Sequence, residues 1–211
     1  MTNIPTRAKE NINKKLFSLK DGFKFFVTSN ILLVCFIGIF LINNGAKVPI
    51  ISFTVFAEIF SVLLSVIACL KPGKPKENES KDAERQQSQE LLGALIAFVF
   101  LSLFSLLFLG ANIPYPSTLI FFMLMSNAMV SAYSILFHPI ALGLYEANVF
   151  QRKTTMFDYI FKYIAIFLSG ISYYVQRTLF KLPLLLNKLI VIAFVLLLLW
   201  QWFIMISIFD N

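Results

Sequence analysis

The sequence has few charged residues, and this scarcity limits where the chain can reside. Only 14% of its residues are charged and 58% are hydrophobic, whereas a soluble domain carries about a quarter charged residues. A surface with so few charges cannot lie mostly in water, so we expect a lipid bilayer to cover much of the chain. The length of 211 residues allows one compact bundle, without room for a sizeable soluble domain.

Histidine and cysteine are scarce too, and their placement excludes several kinds of site. The single histidine is His138, and the two cysteines, Cys35 and Cys69, lie in apolar runs without CxxC spacing. We interpret the cysteines as small apolar side chains rather than as a disulfide or a metal pair. Motifs of zinc hydrolases, serine hydrolases and P-loop proteins are missing as well. We therefore expect no cofactor, no metal and no catalysis by this chain alone.

What the sequence has in abundance is long apolar runs. A spanning helix needs about 20 apolar residues, because each adds about 1.5 Å across a hydrocarbon layer about 30 Å thick. Five runs meet this requirement: Phe25–Ile42, Val48–Leu70, Leu91–Leu109, Thr118–Phe137 and Leu189–Phe209. The sequence thus predicts an all-α, polytopic transmembrane helical bundle over residues 25–211. A basic cytosolic tail over residues 1–24 precedes it, and a polar, flexible cytosolic loop is expected over residues 71–90.

A sixth run, Asp158–Gln176, is ambiguous. At 100° per residue one narrow stripe of this helix collects its polar and small residues, namely Asp158, Lys162, Ala165, Ser169, Ser172 and Gln176. Such a helix could span the bilayer with its stripe against neighbouring helices. It could instead lie flat at the membrane surface.

The positions of the basic residues indicate how the chain is oriented. Lysines and arginines flank the apolar runs, an arrangement typical of membrane orientation rather than of nucleic-acid contact. With five spans and a cytosolic N-terminus, every lysine and arginine except Lys47 lies in the cytosol. If all six runs span, Arg177, Lys181 and Lys188 join Lys47 on the far side, so the charge distribution favours five spans. In this orientation the glycosylation acceptor at Asn78 stays unmodified.

A few polar residues inside the runs are candidate contact or functional sites. Glu58 lies in the middle of the second run, where an ionised side chain costs at least about 2.5–3.5 kcal/mol. It could form a proton or ion site, but we favour a polar contact with another helix or a partner subunit, with Asn127 as a candidate mate. Ser126 and His138 complete the set of candidate intramembrane contacts. Because Pro139 follows His138, we expect a kink or a helix exit there.

The order and spacing of several short motifs are similar to those of a known family. The motifs are Lys71-Pro72, Phe108-Leu109-Gly110-Ala111, Ser117-Thr118 with Ser126 and Pro139, and Val149-Phe150-Gln151-Arg152. Over most of its length the chain resembles the PIG-F family, small multi-pass proteins of the endoplasmic reticulum that act in GPI-anchor synthesis. It departs from that family at Ser117, where members carry an acid, and over residues 177–183, where their tryptophan-rich motif is absent.

The resemblance implies six spans and a non-catalytic subunit that stabilises a larger membrane protein partner. That partner would transfer phosphoethanolamine onto a GPI mannose and would house the metal chemistry. Our leading hypothesis is accordingly a membrane scaffold or accessory subunit. The alternatives are a small transporter or channel that uses Glu58, and a membrane-shaping or trafficking protein that uses the amphipathic segment over residues 158–181.

Overall fold

The computed structural model describes residues 18–43, 45–70, 84–151 and 155–209, without the side chains of residues 84–87 and 111. These residues form six α-helices, namely α1 (Leu19–Ile42), α2 (Lys47–Ala68), α3 (Glu84–Ser105), α4 (Ser117–Phe150), α5 (Met156–Leu179) and α6 (Leu184–Phe209). A short 3₁₀ helix, Leu106–Ala111, extends α3. All except α5 are long and apolar enough to cross a bilayer. The chain is an all-α, multi-pass membrane bundle, as the apolar runs predict.

Two polar segments are more helical than predicted. Helix α1 begins at Leu19, so the last part of the predicted tail over residues 1–24 is helical. Helix α3 begins at Glu84, so the predicted loop over residues 71–90 is wrong over residues 84–90. Glutamate, arginine, glutamine and lysine are good helix formers, and a helix needs no lipid to satisfy its backbone. The rest of that loop, residues 71–83 with Asn78, lies outside the described residues, as do residues 1–17 of the tail.

Helix α4 bends where the sequence predicts a kink. Its backbone leaves the helical region at Phe137, with φ −120° and ψ 45°. Pro139 has no N–H for the carbonyl of Ile135, and its ring crowds that carbonyl, so the preceding turn opens. The run predicted to end at Phe137 continues beyond the kink to Phe150.

The five spans form a ring that is open on one side. Helix α1 packs on α2, α2 on α6, and α6 on α4, while α5 packs between α4 and α3. Within the described residues α1 and α3 do not pack extensively on each other. We call the end where α1 begins and α2 ends the basic end, because Lys20, Lys24 and Lys181 lie there. The opposite end is the far end, where Ala46 N–H donates to the carbonyl of Ile208 at 2.9 Å.

Helix α5 starts and finishes at the basic end. Near its start Lys162 Nζ lies 2.7 Å from Glu90 Oε1, at the beginning of the apolar part of α3. Just after its finish Lys181 Nζ donates to the carbonyl of Ala68, the last residue of α2, at 3.0 Å. Both contacts place α5 across the bundle rather than alongside the spans. The contacts therefore favour the five-span interpretation over the six-span one.

The amphipathic character of α5 explains its place in the bundle. Residues Ser172 and Gln176 of the predicted stripe are buried against the neighbouring helices. Three aromatic side chains of the same helix, Phe157, Phe161 and Tyr174, are each more than half exposed. Aromatic rings of this kind suit the headgroup level of a membrane. Helix α5 is thus held in the bundle by its polar stripe, while some of its aromatic side chains stay exposed.

Candidate functional site

A cavity of about 940 Å³ lies between the helices. Several of the residues that line it have small side chains, which leave space between the helices. These small residues are Ser29, Ala57, Ser61, Ala94, Ala97 and Gly170. Helices α1 to α6 all contribute to the wall, whose side chains are predominantly apolar. A concave, mostly apolar space with a few polar groups is the usual form of a small-molecule site.

The cavity is open at the basic end and blocked at the far end. Asp21 and Lys24 of α1 line its mouth, and Phe36 and Phe53 line its inner end. Behind Phe53 lies the fully buried ring of Phe40, whose centroid is 5.3 Å from that of Phe53 and 6.2 Å from that of Phe209. This aromatic cluster closes the described bundle at the far end. The lining of the cavity ends at Phe36 and Phe53, beside this cluster.

The same cavity has a side opening between α1 and α3. Leu32 of α1 and Leu95 and Phe98 of α3 line the cavity, yet they remain 38%, 53% and 55% exposed. These side chains belong both to the cavity wall and to the outer surface. They flank the open side of the ring, where α1 and α3 do not pack extensively on each other and lipid chains surround the protein.

Glu58 stands on the wall of this cavity. Asn30 of α1 donates its Nδ2 hydrogen to Glu58 Oε1 at 3.4 Å, and Ser29 and Ser61 pair beside them. Glu58 Oε2 is buried and has no hydrogen-bond partner among the described residues. Sequence reasoning missed Asn30, although a lone asparagine in an apolar run is itself a signal of a polar contact.

Asn127 is not the partner of Glu58, so the suggested pairing of these residues is wrong. Its Nδ2 donates to the carbonyl of Phe167 at 3.1 Å, and its Oδ1 accepts from the N–H of Ser172 at 2.9 Å. Ser131 adds a hydroxyl bond of 2.8 Å to Ser172. The side chain of Asn127 turns toward the backbone of α5, which lies between α3 and α4. It fastens α4 to α5, and the contact of Glu58 is with Asn30 instead.

The two other candidate contacts serve local roles. Ser126 donates to the carbonyl of Met123 in its own helix at 3.0 Å. The ring of His138 stacks on that of Phe180, with centroids 5.9 Å apart and planes 6° apart. His138 Nε2 is buried without a hydrogen-bond partner among the described residues. His138 therefore packs on Phe180 at the kink, with the side chain of Gln176 of α5 close by.

Two acid–base clusters fix α5 at its two halves. Glu90 accepts from Lys162 and, at 3.0 Å, from the hydroxyl of Tyr163. Glu146 accepts from Arg177 at 2.6 Å and from the hydroxyl of Tyr173 at 2.9 Å. Burial, together with the hydrogen bond to Glu146, raises the pKa of Tyr173 to about 12.

Burial also shifts two other groups near α5. It raises the pKa of Tyr163, and the hydrogen bond to Glu90 adds to the shift. It lowers the pKa of Lys181, and the negative charge of Asp21 partly offsets that effect. Both shifts follow from the cost of removing a charged group from water. The tyrosines thus stay neutral hydrogen-bond donors that hold α5 in place.

The described residues contain no group of three or more histidine, cysteine, aspartate or glutamate side chains that could hold a metal ion. No protein-family model, curated protein or solved structure matches the chain. The resemblance to the PIG-F family therefore stays a prediction, and further evidence on function comes from the geometry of the bundle.

Proposed function

We propose that the chain is a non-catalytic accessory subunit that stabilises a larger membrane enzyme. The supporting observation is that polar side chains of the bundle form hydrogen bonds from one helix to another. Asn127 and Ser131 fasten α4 to α5, and Asn43, which caps the end of α1, donates to the Ser117 hydroxyl of α4 at 2.8 Å. Side chains that bond one helix to another build a frame, as interhelical polar contacts do in other membrane bundles. A frame of this kind suits a supporting subunit better than a reacting centre.

The enzyme that we propose as partner transfers phosphoethanolamine during GPI-anchor biosynthesis in the endoplasmic reticulum membrane. This part of the proposal rests on the motif resemblance at residues 108–111, 117–139 and 149–152. The transfer chemistry and its metal would belong to the partner. The basic end would face the cytosol, in agreement with the positive-inside rule.

Affinity purification from native membranes in a mild detergent tests the accessory role. We expect one larger membrane protein to co-purify with the chain, and the abundance of that protein to fall when the chain is deleted. Re-expression of the chain should restore the partner. Recovery of the chain alone, with every other membrane protein at its normal abundance after deletion, would contradict the proposal.

A second measurement tests the GPI assignment separately. Cells without the chain should lose GPI-anchored proteins from their surface and accumulate GPI precursors that lack a phosphoethanolamine. Normal surface display and normal precursors would remove the GPI assignment. The accessory role would then stand or fall on the co-purification alone.

Two other functions receive less support. A channel or transporter would need a path past the far end, and the cluster of Phe40, Phe53 and Phe209 blocks that path in the described bundle. Flux through proteoliposomes that disappears in Glu58→Gln would nevertheless overturn the accessory assignment. A membrane-shaping role would need a free amphipathic α5, whereas its polar stripe is engaged by α4.

A further inference from the structure

The cavity between the helices has the position and the lining of a lipid-binding site. Its volume of about 940 Å³ lies in the range of small-molecule sites, about 300–1,000 Å³. Its wall is predominantly apolar, and its side opening between α1 and α3 faces the surrounding lipid. An occupant that enters through that opening comes from the bilayer, so it carries at least one apolar chain.

The polar end of this occupant is indicated by the charges on the wall. The charged residues that line the cavity are Asp21, Lys24 and Glu58. Asp21 and Lys24 are of opposite sign and both lie at the mouth, one helical turn apart. Glu58 is ten residues from the end of α2, about 15 Å deeper at 1.5 Å per residue. The inner wall therefore carries one acidic side chain, and the basic residue that lines the cavity, Lys24, lies at the mouth.

The carboxyl group of Glu58 has few hydrogen bonds among the described residues. Oε1 receives a single long one of 3.4 Å from Asn30, while Oε2 has no partner there and is buried without surface open to the cavity. An ionised carboxylate accepts hydrogen bonds and cannot donate them. A buried carboxylate is stabilised when a positive group that donates hydrogen bonds lies against it.

We propose that this cavity binds a membrane amphiphile whose amine, as an ammonium group, pairs with Glu58. The apolar chain lies against the walls of α1 and α3 and leaves through the opening between Leu32 and Phe98. The aromatic cluster at the far end keeps the occupant from reaching that end of the bundle. This site goes beyond the accessory role, because it means that the subunit itself binds a membrane amphiphile.

The experiment uses the purified full-length chain in nanodiscs with two photoreactive probes of equal chain length. One probe is a long-chain primary amine and the other is the corresponding alcohol. In the unmodified chain we expect the amine to label cavity residues of α1 to α3 at least tenfold more than the alcohol does. Unlabelled long-chain amine should compete with the labelling.

Variants separate the ion pair from the space. Glu58→Gln should reduce amine labelling about tenfold and leave alcohol labelling unchanged. Asp21→Asn, which removes the same charge at the mouth, should change amine labelling less than twofold. Ala94→Phe fills the cavity and should reduce both labels, with the thermal unfolding midpoint checked for each variant.

Three results would overturn the proposal. They are equal labelling by the two probes in the unmodified chain, unchanged amine labelling in a folded Glu58→Gln variant, and adducts confined to outward-facing residues. If Glu58→Gln does not fold, the Ala94→Phe variant and the probe comparison decide the question.

Discussion

Asn127 and Glu58 illustrate how far residue type and position predict an intramembrane contact. Both were expected to make polar contacts inside the membrane, because an unsatisfied polar group in lipid is costly. Their partners could not be predicted. Glu58 contacts Asn30 because the register of α1 on α2 places Ser29 beside Ser61, and one apolar run does not encode its register on another. Asn127 contacts the backbone of α5, whose place between α3 and α4 is a property of the whole bundle.

The contacts of Asn127 predict a measurable loss of stability. Asn127→Leu removes two bonds to α5, to the carbonyl of Phe167 and from the N–H of Ser172. At about 0.6 kcal/mol for each interhelical bond, the free energy of unfolding should fall by about 1 kcal/mol. Ser126→Ala is the matched control, because Ser126 bonds only within α4 in the contacts described above. Equal unfolding free energies for the two variants in detergent titrations would show that Asn127 does not fasten α4 to α5.

At the scale of the helices, the sequence predicted which segments span and missed how α5 is held. The lengths of the five apolar runs were enough to predict the candidate spans, since the thickness of the hydrocarbon layer sets the minimum length of a spanning helix. Helices α1 and α3 begin earlier along the chain than predicted, because polar residues can continue a helix outside lipid. The packing of α5 depends on Gly93 of α3, which allows the backbone of Tyr159 to approach closely. A single glycine in an apolar run does not show which helix will pack closely on it.

Two glycine-to-alanine substitutions test that helix contact. A Cβ atom at position 93 would lie 2.6 Å from Cβ of Tyr159 and 3.3 Å from N of Ile160, so α3 and α5 would have to separate. Overpacking of this kind costs about 1–3 kcal/mol. Gly143 of α4 has nothing within 4 Å of the same position, and alanine is the better helix former by up to about 1 kcal/mol.

Gly93→Ala should therefore lower the thermal unfolding midpoint, whereas Gly143→Ala should leave it unchanged or raise it. Both proteins would be compared in the same detergent by following intrinsic tryptophan fluorescence during heating. A Gly93→Ala protein as stable as the unmodified chain would mean that α5 does not pack closely on α3.

At the scale of the whole molecule, the fold and the charge distribution agree. All lysines and arginines except Lys47 lie on one side if five helices span, and the contacts of Lys162 and Lys181 place the two ends of α5 toward the basic end. The expectation of six spans drawn from the family resemblance is at odds with these contacts.

The sidedness of the segment between α5 and α6 tests the five-span fold most directly. Single cysteines at Lys20, Lys47 and Leu185, in a chain whose own cysteines are replaced by alanine, would be labelled with an impermeant maleimide in sealed vesicles of one orientation. Lys20 lies at the basic end and Lys47 at the far end. We predict that Leu185→Cys is labelled with Lys20→Cys and on the side opposite to Lys47→Cys. Labelling of Leu185→Cys together with Lys47→Cys would mean that α5 crosses the membrane and would contradict the fold described here.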